Sequence, residues 1–311
     1  MKKVFLHIGY PKTATTLIQK NIFSKLSSVE YFGKDSPKHI TLYKKFYDYI
    51  FYFNDSNYEE IKLFFLSIIE AKNILISEED FLFNSIRFSK KINNCNYMYT
   101  LNRLKKLFSS QVDIKIFLTT RNIIDLIRSI YSQSYTNYFS RCNQTKTFEI
   151  FINNLIKQKE HDNLSINWCN AVKTLDSVDV LRVLKINFNN NVVVNQFSEF
   201  IENPKSFVLN FFGSNFYSND EIMFISNYNF SNKINQRSGH NKNEYSTNNN
   251  MLANQLALIF KIKHLSTLNF LFPKLADFIK KIRIYKSNKL TLTLSQRQES
   301  QLKRKFPGVK I

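Results

Sequence analysis

The residues best suited to chemistry follow a short apolar run near the start of the chain. Val4 to Ile8 reads VFLHI, and the next eight residues read GYPKTATT. An apolar run, a Gly-Pro turn and a Thr-rich segment predict a strand, a tight loop and the start of a helix. Backbone N–H groups in such a loop converge on one place, where phosphate or sulfate oxygens bind well. The segment therefore predicts an anion-binding loop.

Several residues of this loop are candidates for direct contact with an anion. Lys12 adds a mobile positive charge, and three threonine hydroxyls lie near it in the sequence. The candidate binding residues are Gly9, Pro11, Lys12, Thr13, Ala14, Thr15 and Thr16. The plain alternative is that the segment only joins a strand to a helix.

The loop differs from the usual ATP- or GTP-binding loop, which reads G-x-x-x-x-G-K-[ST]. Counted from Gly9, its sixth to eighth positions are Ala14, Thr15 and Thr16, and the lysine stands at the fourth position, Lys12. The sequence also has no apparent acidic second motif for magnesium. These differences make a P-loop-type nucleotide kinase the weaker alternative.

A second candidate anion site follows another buried strand, Ile114 to Leu118. This strand leads into Thr119-Thr120-Arg121-Asn122, and Asn122 is a typical N-cap for a helix that carries Ser129. An arginine can hold a phosphate through two hydrogen bonds, and a serine hydroxyl can donate a further one. We expect Arg121 and Ser129 at the same sheet edge as the first loop.

A cluster of acids follows a third apolar segment, Ile74 to Ile76. The sequence there reads Ser77-Glu78-Glu79-Asp80. A carboxylate at the carboxyl end of a parallel strand can remove the proton of an attacking hydroxyl. Glu79 is the first choice for this base and Glu78 the second. The alternative is that the acids cap the helix that begins near Phe81.

Two of these motifs resemble those of the sulfotransferases that use 3′-phosphoadenosine 5′-phosphosulfate (PAPS). PKTATT resembles the family's 5′-phosphosulfate loop, PKTGTT or PKSGTT, and TRNIIDLIRS resembles its 3′-phosphate motif, R-[DN]-P followed by a serine. Ala14 replaces the usual Gly and resists a positive φ, and Ile123 replaces the usual Pro. The resemblance covers roughly residues 3–215 and is of the bacterial, carbohydrate-sulfotransferase type.

The resemblance implies an α/β, three-layer, P-loop-like sulfotransferase fold with a central, mainly parallel β-sheet flanked by helices. It implies transfer of a sulfuryl group from PAPS to an acceptor hydroxyl, without a metal, leaving adenosine 3′,5′-bisphosphate. Lys12 then neutralises the leaving phosphate oxygen, Glu79 or Glu78 is the base, and Arg121 with Ser129 binds the 3′-phosphate. Arg237, in an Arg-Ser-Gly segment, is a further nucleotide-binding candidate.

Composition and periodicity predict how the chain is organised. Of 311 residues, 43% are hydrophobic, which predicts a packed globule. We expect a catalytic domain over residues 1–250 and a helical, basic C-terminal extension over 251–311 packed on it.

Residues 31–57 show no clean periodicity. Further predicted elements are helices over Tyr58 to Ala71, Met98 to Phe108 and Leu252 to Ile284, strands over Val178 to Leu184 and Val192 to Val194, and a loop over Tyr217 to Asn250.

The net charge indicates which kinds of partner the protein can bind. The formal net charge is +20, and residues 251–311 hold thirteen Lys or Arg and two acids. Such a chain attracts anions, so we expect a carbohydrate or glycoconjugate acceptor and peripheral membrane contact through the basic tail, rather than nucleic acid. A non-enzymatic polyanion-binding protein is the other alternative. Three cysteines without metal-ligand spacing predict free thiols in the cytoplasm.

Overall fold

The computed structural model describes residues 3–10, 13–34, 36–82, 97–108, 112–134, 146–157, 172–213, 216–230, 244–246 and 289–309. The chain divides into two compact units. The first comprises Met1–Ser129, Ile152–Asn235 and Ser295–Ile311, and the second comprises Ile130–Phe151 and Gln236–Leu294. The predicted boundary at residue 250 stays a prediction.

A five-stranded parallel sheet forms the centre of the first unit. Its strands are β1 (Lys3–Gly9), β2 (Val29–Phe32), β3 (Asn73–Ser77), β4 (Asp113–Thr120) and β5 (Val192–Gln196), and their order across the sheet is β2-β3-β1-β4-β5. The apolar run of the first strand is buried because β1 is paired on both sides and covered on both faces. Val4 pairs with Ile74 of β3 and with Ile114 of β4.

Helices account for most of the other described elements. They are α1 (Thr15–Asn21), α2 (Ile40–Tyr52), α3 (Tyr58–Ala71), α4 (Tyr97–Phe108), α5 (Ile123–Ser134), α6 (Phe148–Lys157), α7 (Ser177–Asn187), α8 (Phe197–Glu202), α9 (Pro204–Phe211), α10 (Asn219–Asn227) and α11 (Gln296–Lys305). Single 3-10 turns occur at Phe23–Lys25, Pro37–His39 and Asp55–Asn57. In the second unit, β6 (Glu244–Ser246) pairs antiparallel with β7 (Lys289–Thr291).

The two faces of the sheet carry separate aromatic layers. Tyr31 and Phe32 are neighbours in β2, so their side chains point to opposite faces. Tyr31 belongs to a buried cluster with Phe117 of β4 and residues of α1, α8, α9 and α10. Phe32 packs edge-on against Phe65 of α3, with ring centroids 4.9 Å apart. The predicted three-layer α/β fold with a central parallel sheet is therefore confirmed.

Two sequence predictions about local structure were wrong. Val178 to Leu184 is helical instead of extended, because Asp176 caps α7 by accepting hydrogen bonds from the N–H groups of Val178 and Asp179. The predicted loop over Tyr217 to Asn250 contains α10, which begins at a capping box formed by Ser218 and Glu221. The predicted helices over residues 252–284 lie outside the described residues.

The unpatterned segment over residues 31–57 is also ordered. It contains the end of β2 and the whole of α2, whose buried face includes Tyr43, Phe46 and Ile50. Tyrosine is counted as polar in a simple hydrophobic pattern although its ring packs like that of Phe. The helical periodicity was therefore present in the sequence but obscured by the four tyrosines of this helix.

Candidate active site

The strand order places the two predicted anion motifs side by side. The chain leaves β1 toward β2 and leaves β4 toward β5, so the crevice between the carboxyl ends of β1 and β4 is the topological switch point of the sheet. Open α/β sheets bind their ligands at such a point. Gly9 is in register with Thr119, and the N–H of Tyr10 donates to the carbonyl of Thr119 at 3.0 Å. This backbone hydrogen bond therefore joins the start of the loop after β1 to the end of β4, two residues before Arg121.

Gly9 is required by the close packing of this loop. A Cβ atom at Gly9 would lie 2.5 Å from Cγ2 of Thr15 and 3.0 Å from Oγ1 of Thr13. The first of these distances is shorter than any ordinary contact, so a larger residue would displace the loop. Pro11 and Lys12, the two residues that follow Tyr10, lie outside the described residues.

Ala14 adopts the conformation that its side chain disfavours. Its φ is 56° and its ψ is 16°, in the left-handed region, and it directly precedes α1. A left-handed conformation costs an alanine about 1–2 kcal/mol relative to a right-handed one. The glycine of the related motif would adopt this conformation without that cost, so the loop keeps its shape at the expense of local strain.

The three threonine hydroxyls differ in their surroundings. Thr13 is buried, and its hydroxyl donates to the carbonyl of Tyr10 at 2.7 Å. Thr15 is also buried and donates to Oε2 of Glu79 at 2.9 Å. Thr16 is exposed. Thr13 therefore shapes the loop, Thr15 joins the loop to the acidic cluster, and Thr16 faces solvent.

Glu78 is enclosed by the protein. It is 1% exposed, and its carboxylate accepts hydrogen bonds from the hydroxyl of Tyr43 and, at 3.0 Å, from the N–H of Asp80. Burial, and next the charge of Asp80, raise the pKa of Glu78 to about 7. Asp80 begins a helical turn at residues 80–82, so Glu78 accepts a backbone N–H at the start of that turn.

Glu79 faces the loop after β1. One carboxylate oxygen accepts the Thr15 hydrogen bond, and the other lies 3.6 Å from Nζ of Lys34. Its side chain is 24% exposed, so an external hydroxyl can reach it, which is not the case for Glu78. By access, Glu79 is the better placed of the two to accept a proton.

His7 was missed by sequence reasoning. Its ring lies under the loop, with Nδ1 2.7 Å from Oγ of Ser77 in β3 and Nε2 3.1 Å from Oγ1 of Thr119 in β4. Gln19 of α1 donates to the same Ser77 hydroxyl at 2.9 Å. Burial lowers the pKa of His7 to about 3, so the ring is neutral. The available signal was a single polar residue inside an otherwise apolar buried strand.

Arg121 stands between β4 and α5, as predicted. The side-chain oxygen of Asn122 accepts the N–H of Ile124 at 2.9 Å, which confirms the predicted N-cap. The Arg121 guanidinium lies over the ring of Phe197, 5.2 Å from its centroid. Ser129 is buried on α5, two turns beyond the start of that helix.

A cavity of about 140 Å³ opens beside Arg121. Its lining comes from the loop after β1, the start of α5, the segment before α7 and the C-terminal segment. The lining residues are Tyr10, Arg121, Asn122, Ile123, Leu126, Leu175, Ser177, Lys303, Phe306 and Gly308. Among these described residues two are cations and none is a carboxylate.

The second cation at this cavity, Lys303, comes from α11. The predicted one, Arg237, lies outside the described residues. In the sequence, Lys303 was counted only as part of the charge of the tail. Lys303 and Arg121 are far apart in the chain, so the sequence does not show that both line this cavity. The run Lys303-Arg304-Lys305, shortly before Pro307-Gly308, was the available signal.

Metal-ligand clusters and membrane-spanning helices are both absent from the described ranges. The acids, histidines and cysteines of the described residues form no cluster of three or more that could hold a metal ion. No helix in the described part of the chain is long and apolar enough to cross a membrane.

Comparison with known proteins gave matches only among solved structures. No family model matches the chain, and no curated protein matches it by sequence. The chain is similar to the crystal structure of a sulfotransferase from Alicyclobacillus acidocaldarius, with 15% identity and a TM-score of 0.39 over 87% of this chain and 96% of that one. It is also similar to the sulfotransferase domain from the curacin biosynthetic pathway, with 11% identity and a TM-score of 0.34 over 67% of this chain and 72% of that one.

Proposed function

We propose that the protein is a sulfotransferase that moves a sulfuryl group from PAPS to an acceptor hydroxyl. One observation carries the proposal. The loop after β1 and the Arg121 segment, which resemble the two phosphate-binding motifs of this family, leave neighbouring strands at the switch point of the sheet. A single nucleotide with phosphates at both its 5′ and 3′ positions would reach both.

The described residues fit such a nucleotide. Gly9 and Thr13 keep the loop compact, and Arg121 lines a cavity with a second cation and no carboxylate among its described lining residues. A cation in a partly apolar cavity gains more from a bound phosphate than it does in water, because the dielectric constant is lower there. Arg121 and Ser129 are the proposed partners of the 3′-phosphate, and Lys12 with the loop is the proposed partner of the 5′-phosphosulfate.

PAPS, when bound, supplies the sulfuryl group and leaves as adenosine 3′,5′-bisphosphate. In the proposed mechanism Glu79 accepts the proton of the acceptor hydroxyl as the hydroxyl oxygen attacks. Thr15 and Lys34 fix the orientation of the Glu79 carboxylate. Lys12 stabilises the negative charge that develops on the leaving phosphate oxygen, as preorganised donors do in related transfers. Tyr43 and the Asp80 N–H keep Glu78 turned into the protein.

The acceptor, the partners and the location remain proposals from composition. A net charge of +20 favours an acidic or glycosidic acceptor, so a carbohydrate hydroxyl is the proposed substrate. The same charge supports peripheral contact with an anionic membrane, and the prediction of free thiols supports a cytoplasmic location.

A ligand screen by thermal unfolding tests the proposal against its alternatives. Adenosine 3′,5′-bisphosphate should raise the melting temperature strongly, whereas AMP, or ATP with magnesium, should not, because only a ligand that binds the folded state stabilises it. Stabilisation by ATP with magnesium alone would favour a kinase. Binding of heparin-like polymers with steep salt dependence, without any response to nucleotides, would favour a polyanion-binding protein.

A further inference from the structure

Two tyrosines of α2 lie against the acidic cluster that follows β3. Tyr43 and Tyr47 are four residues apart, so they occupy the same face of the helix. The hydroxyl of Tyr43 donates to the carboxylate of Glu78, and that of Tyr47 donates to Oδ2 of Asp80 at 2.6 Å. Both acids that flank Glu79 in the sequence are therefore held by one face of one helix.

The same face of α2 makes an apolar contact one turn further along. The ring of Phe51, four residues after Tyr47, lies 5.7 Å from the ring of Phe81 in the helical turn of residues 80–82. Both phenylalanine rings are buried. Successive turns of α2 thus contact the chain before and after Glu79.

Packing determines where the two tyrosine hydroxyls lie. The ring of Tyr43 is buried and lies 5.8 Å from that of Phe32 in β2. The ring of Tyr47 lies 4.4 Å from that of Phe51. A side chain whose rotamer is fixed by its neighbours holds its hydrogen-bond partner in one place, because little further freedom is lost when the bond forms.

Glu79 is the accessible member of the cluster and lies between two enclosed acids. Glu78 and Asp80 are 1% and 8% exposed, whereas the Glu79 side chain is 24% exposed. Its own partner from this part of the chain is Lys34, which lies between β2 and α2. Each of the three consecutive acids therefore has a partner from the stretch that runs from the end of β2 into α2.

From this arrangement we infer that Tyr43 and Tyr47 are positioning residues for Glu79. They fix the chain on either side of Glu79, so that its carboxylate is presented to the loop after β1 and to an incoming hydroxyl. The inference rests on the proposed function, since it concerns the group that accepts the proton there. A misplacement of about 1 Å at a reacting group can cost about 100-fold in rate, so residues that hold the base contribute to turnover without themselves transferring the proton.

Exchange of each tyrosine for phenylalanine tests this role, because it removes the hydroxyl and keeps the ring. Tyr43→Phe should lower kcat, measured with PAPS and a mixture of oligosaccharides as acceptors, by about 10- to 100-fold. The affinity for adenosine 3′,5′-bisphosphate, measured by calorimetry, should stay unchanged. Tyr47→Phe should act in the same direction with a smaller effect, since Tyr47 is less buried, and it serves as the test if Tyr43→Phe does not fold.

Tyr49→Phe is the matched control. Tyr49 is buried on the same helix, and its hydroxyl has no hydrogen-bond partner among the described residues. The substitution therefore makes the same chemical change without removing a contact to the acidic cluster. Both kcat and nucleotide affinity should stay at the wild-type values.

A double variant shows whether Tyr43 acts through Glu79. When two residues act on one step, the effect of the first is lost once the second has been removed. Tyr43→Phe combined with Glu79→Gln should therefore have the same residual kcat as Glu79→Gln alone. A purely structural contribution of the tyrosine would instead add a further loss.

Amide hydrogen exchange tests the positioning without any acceptor. The N–H of Asp80 donates to Glu78 at 3.0 Å, so its exchange reports whether the cluster is held in place. In Tyr43→Phe this amide should exchange about 10-fold faster, as expected when one of the hydrogen bonds that hold the carboxylate is lost. In Tyr49→Phe its exchange should not change.

The possible outcomes separate this inference from the proposed function. Equal kcat in wild type, Tyr43→Phe and Tyr47→Phe would overturn the inference and leave the proposed function standing. A parallel loss of kcat and nucleotide affinity, or unchanged exchange at Asp80 in Tyr43→Phe, would overturn it as well. If the wild-type protein neither binds adenosine 3′,5′-bisphosphate nor transfers a sulfuryl group, the proposed function is wrong, and the exchange rates still decide whether α2 holds the acidic cluster.

Discussion

The two strands that flank β1 carry opposite chemistry to the same edge of the sheet. β3 is followed by Glu78 and Glu79, whose carboxylates are hydrogen bonded within the protein. β4 is followed by Arg121, which lines a cavity bordered by a second cation. The acidic side thus presents one buried and one accessible carboxylate, whereas the cationic side borders a cavity of about 140 Å³. In the proposed function, this difference would separate proton transfer from nucleotide binding across the width of one strand.

A similar contrast exists between the two neighbouring acids themselves. Glu78 is buried with a tyrosine hydroxyl and a backbone N–H, whereas Glu79 reaches the surface beside Thr15 and Lys34. The chain turns at Glu79 into the helical turn of residues 80–82, and the two carboxylates are directed to different surroundings. Their sequence alone therefore offers two candidate bases, and their environments distinguish them.

The largest expected effect is on turnover, from Glu79→Gln. A positioned general base contributes about 10²- to 10⁴-fold to the rate, and glutamine cannot accept the proton. Steady-state assays with PAPS should therefore show a fall in kcat of that size. Glu78→Gln in the same assay should have a much smaller effect. A reversed pattern would assign the base role to Glu78.

The second-largest effect on turnover is expected from a substitution in the loop after β1, which lies between the acidic and the cationic side. Lys12→Ala should lower turnover by about 100-fold or more, because a charge partner of the leaving oxygen is lost. Lys20→Ala, on the exposed surface of the last turn of α1, is the control and should leave turnover near the wild-type value. Normal turnover in Lys12→Ala would remove this residue from the mechanism.

On the cationic side, Arg121→Ala should act on the donor. Loss of its charged hydrogen bonds should weaken donor binding by about 10- to 100-fold, with a smaller change in kcat. Phe197→Leu is the control, because it removes the ring under the guanidinium and keeps the charge. A lower kcat with unchanged affinity for adenosine 3′,5′-bisphosphate would contradict the assigned role.

Stability against pH tests the burial of Glu78. The pKa of Glu78 is near 7 in the folded protein and near 4.5 when unfolded, so the folded state binds more protons between these values. The contribution of Glu78 to stability should therefore fall as pH rises from about 4.5 to about 7. We expect a change on the order of 2–3 kcal/mol in the free energy of unfolding, since one pKa unit corresponds to about 1.4 kcal/mol.

The contribution of Glu78 has to be measured as a difference between two proteins, because His7 also changes the stability with pH. Its folded-state pKa is near 3, below the usual 6.5, so its contribution to stability falls as pH decreases through that range, opposite to the effect of Glu78. The difference in unfolding free energy between wild type and Glu78→Gln cancels the His7 contribution. A difference that does not vary between pH 4.5 and 7 would show that the Glu78 pKa is not raised.

The smallest expected effect is from Ala14→Gly in the loop. Glycine removes the strain of the left-handed conformation but adds entropy to the unfolded chain, so we expect a net stabilisation of about 0.5–1 kcal/mol. Ala71→Gly is the control, because Ala71 has helical geometry at the exposed end of α3. This substitution should lower the free energy of unfolding by about 0.5–1 kcal/mol. Chemical denaturation of both variants measures the two values, and equal signs would argue against strain at Ala14.

Elements with strong local patterns were predictable from the sequence. The bounds of α3 agree with the prediction, since five apolar residues recur on one face and Asn57 precedes the first turn. The strands β1, β3 and β4 were found because fully buried parallel strands are continuous apolar runs. The strand predicted over Val178 to Leu184 failed for the converse reason. Its valines and leucines suit either structure, and the cap at Asp176 decides for a helix.

The candidate site was predictable in outline and not in its contacts. The adjacency of the loop after β1 and Arg121 followed from parallel strand ends, because that rule requires only the order of the elements. The partners Tyr43, Lys34 and Lys303 could not be found in this way. Each reaches the site from a segment whose pattern does not indicate what it contacts, and only the packed structure brings it close.

The central position of β1 has a consequence for how the protein is made. β1 is synthesised first, but its partners begin at Asn73 and Asp113, so about a hundred residues must leave the ribosome before the strand is paired on both sides. Contacts of such sequence separation form slowly. Until then an apolar strand is exposed in the nascent chain, where unpaired strands tend to aggregate. We therefore expect the newly made protein to depend on chaperones in proportion to the delay before β4 appears.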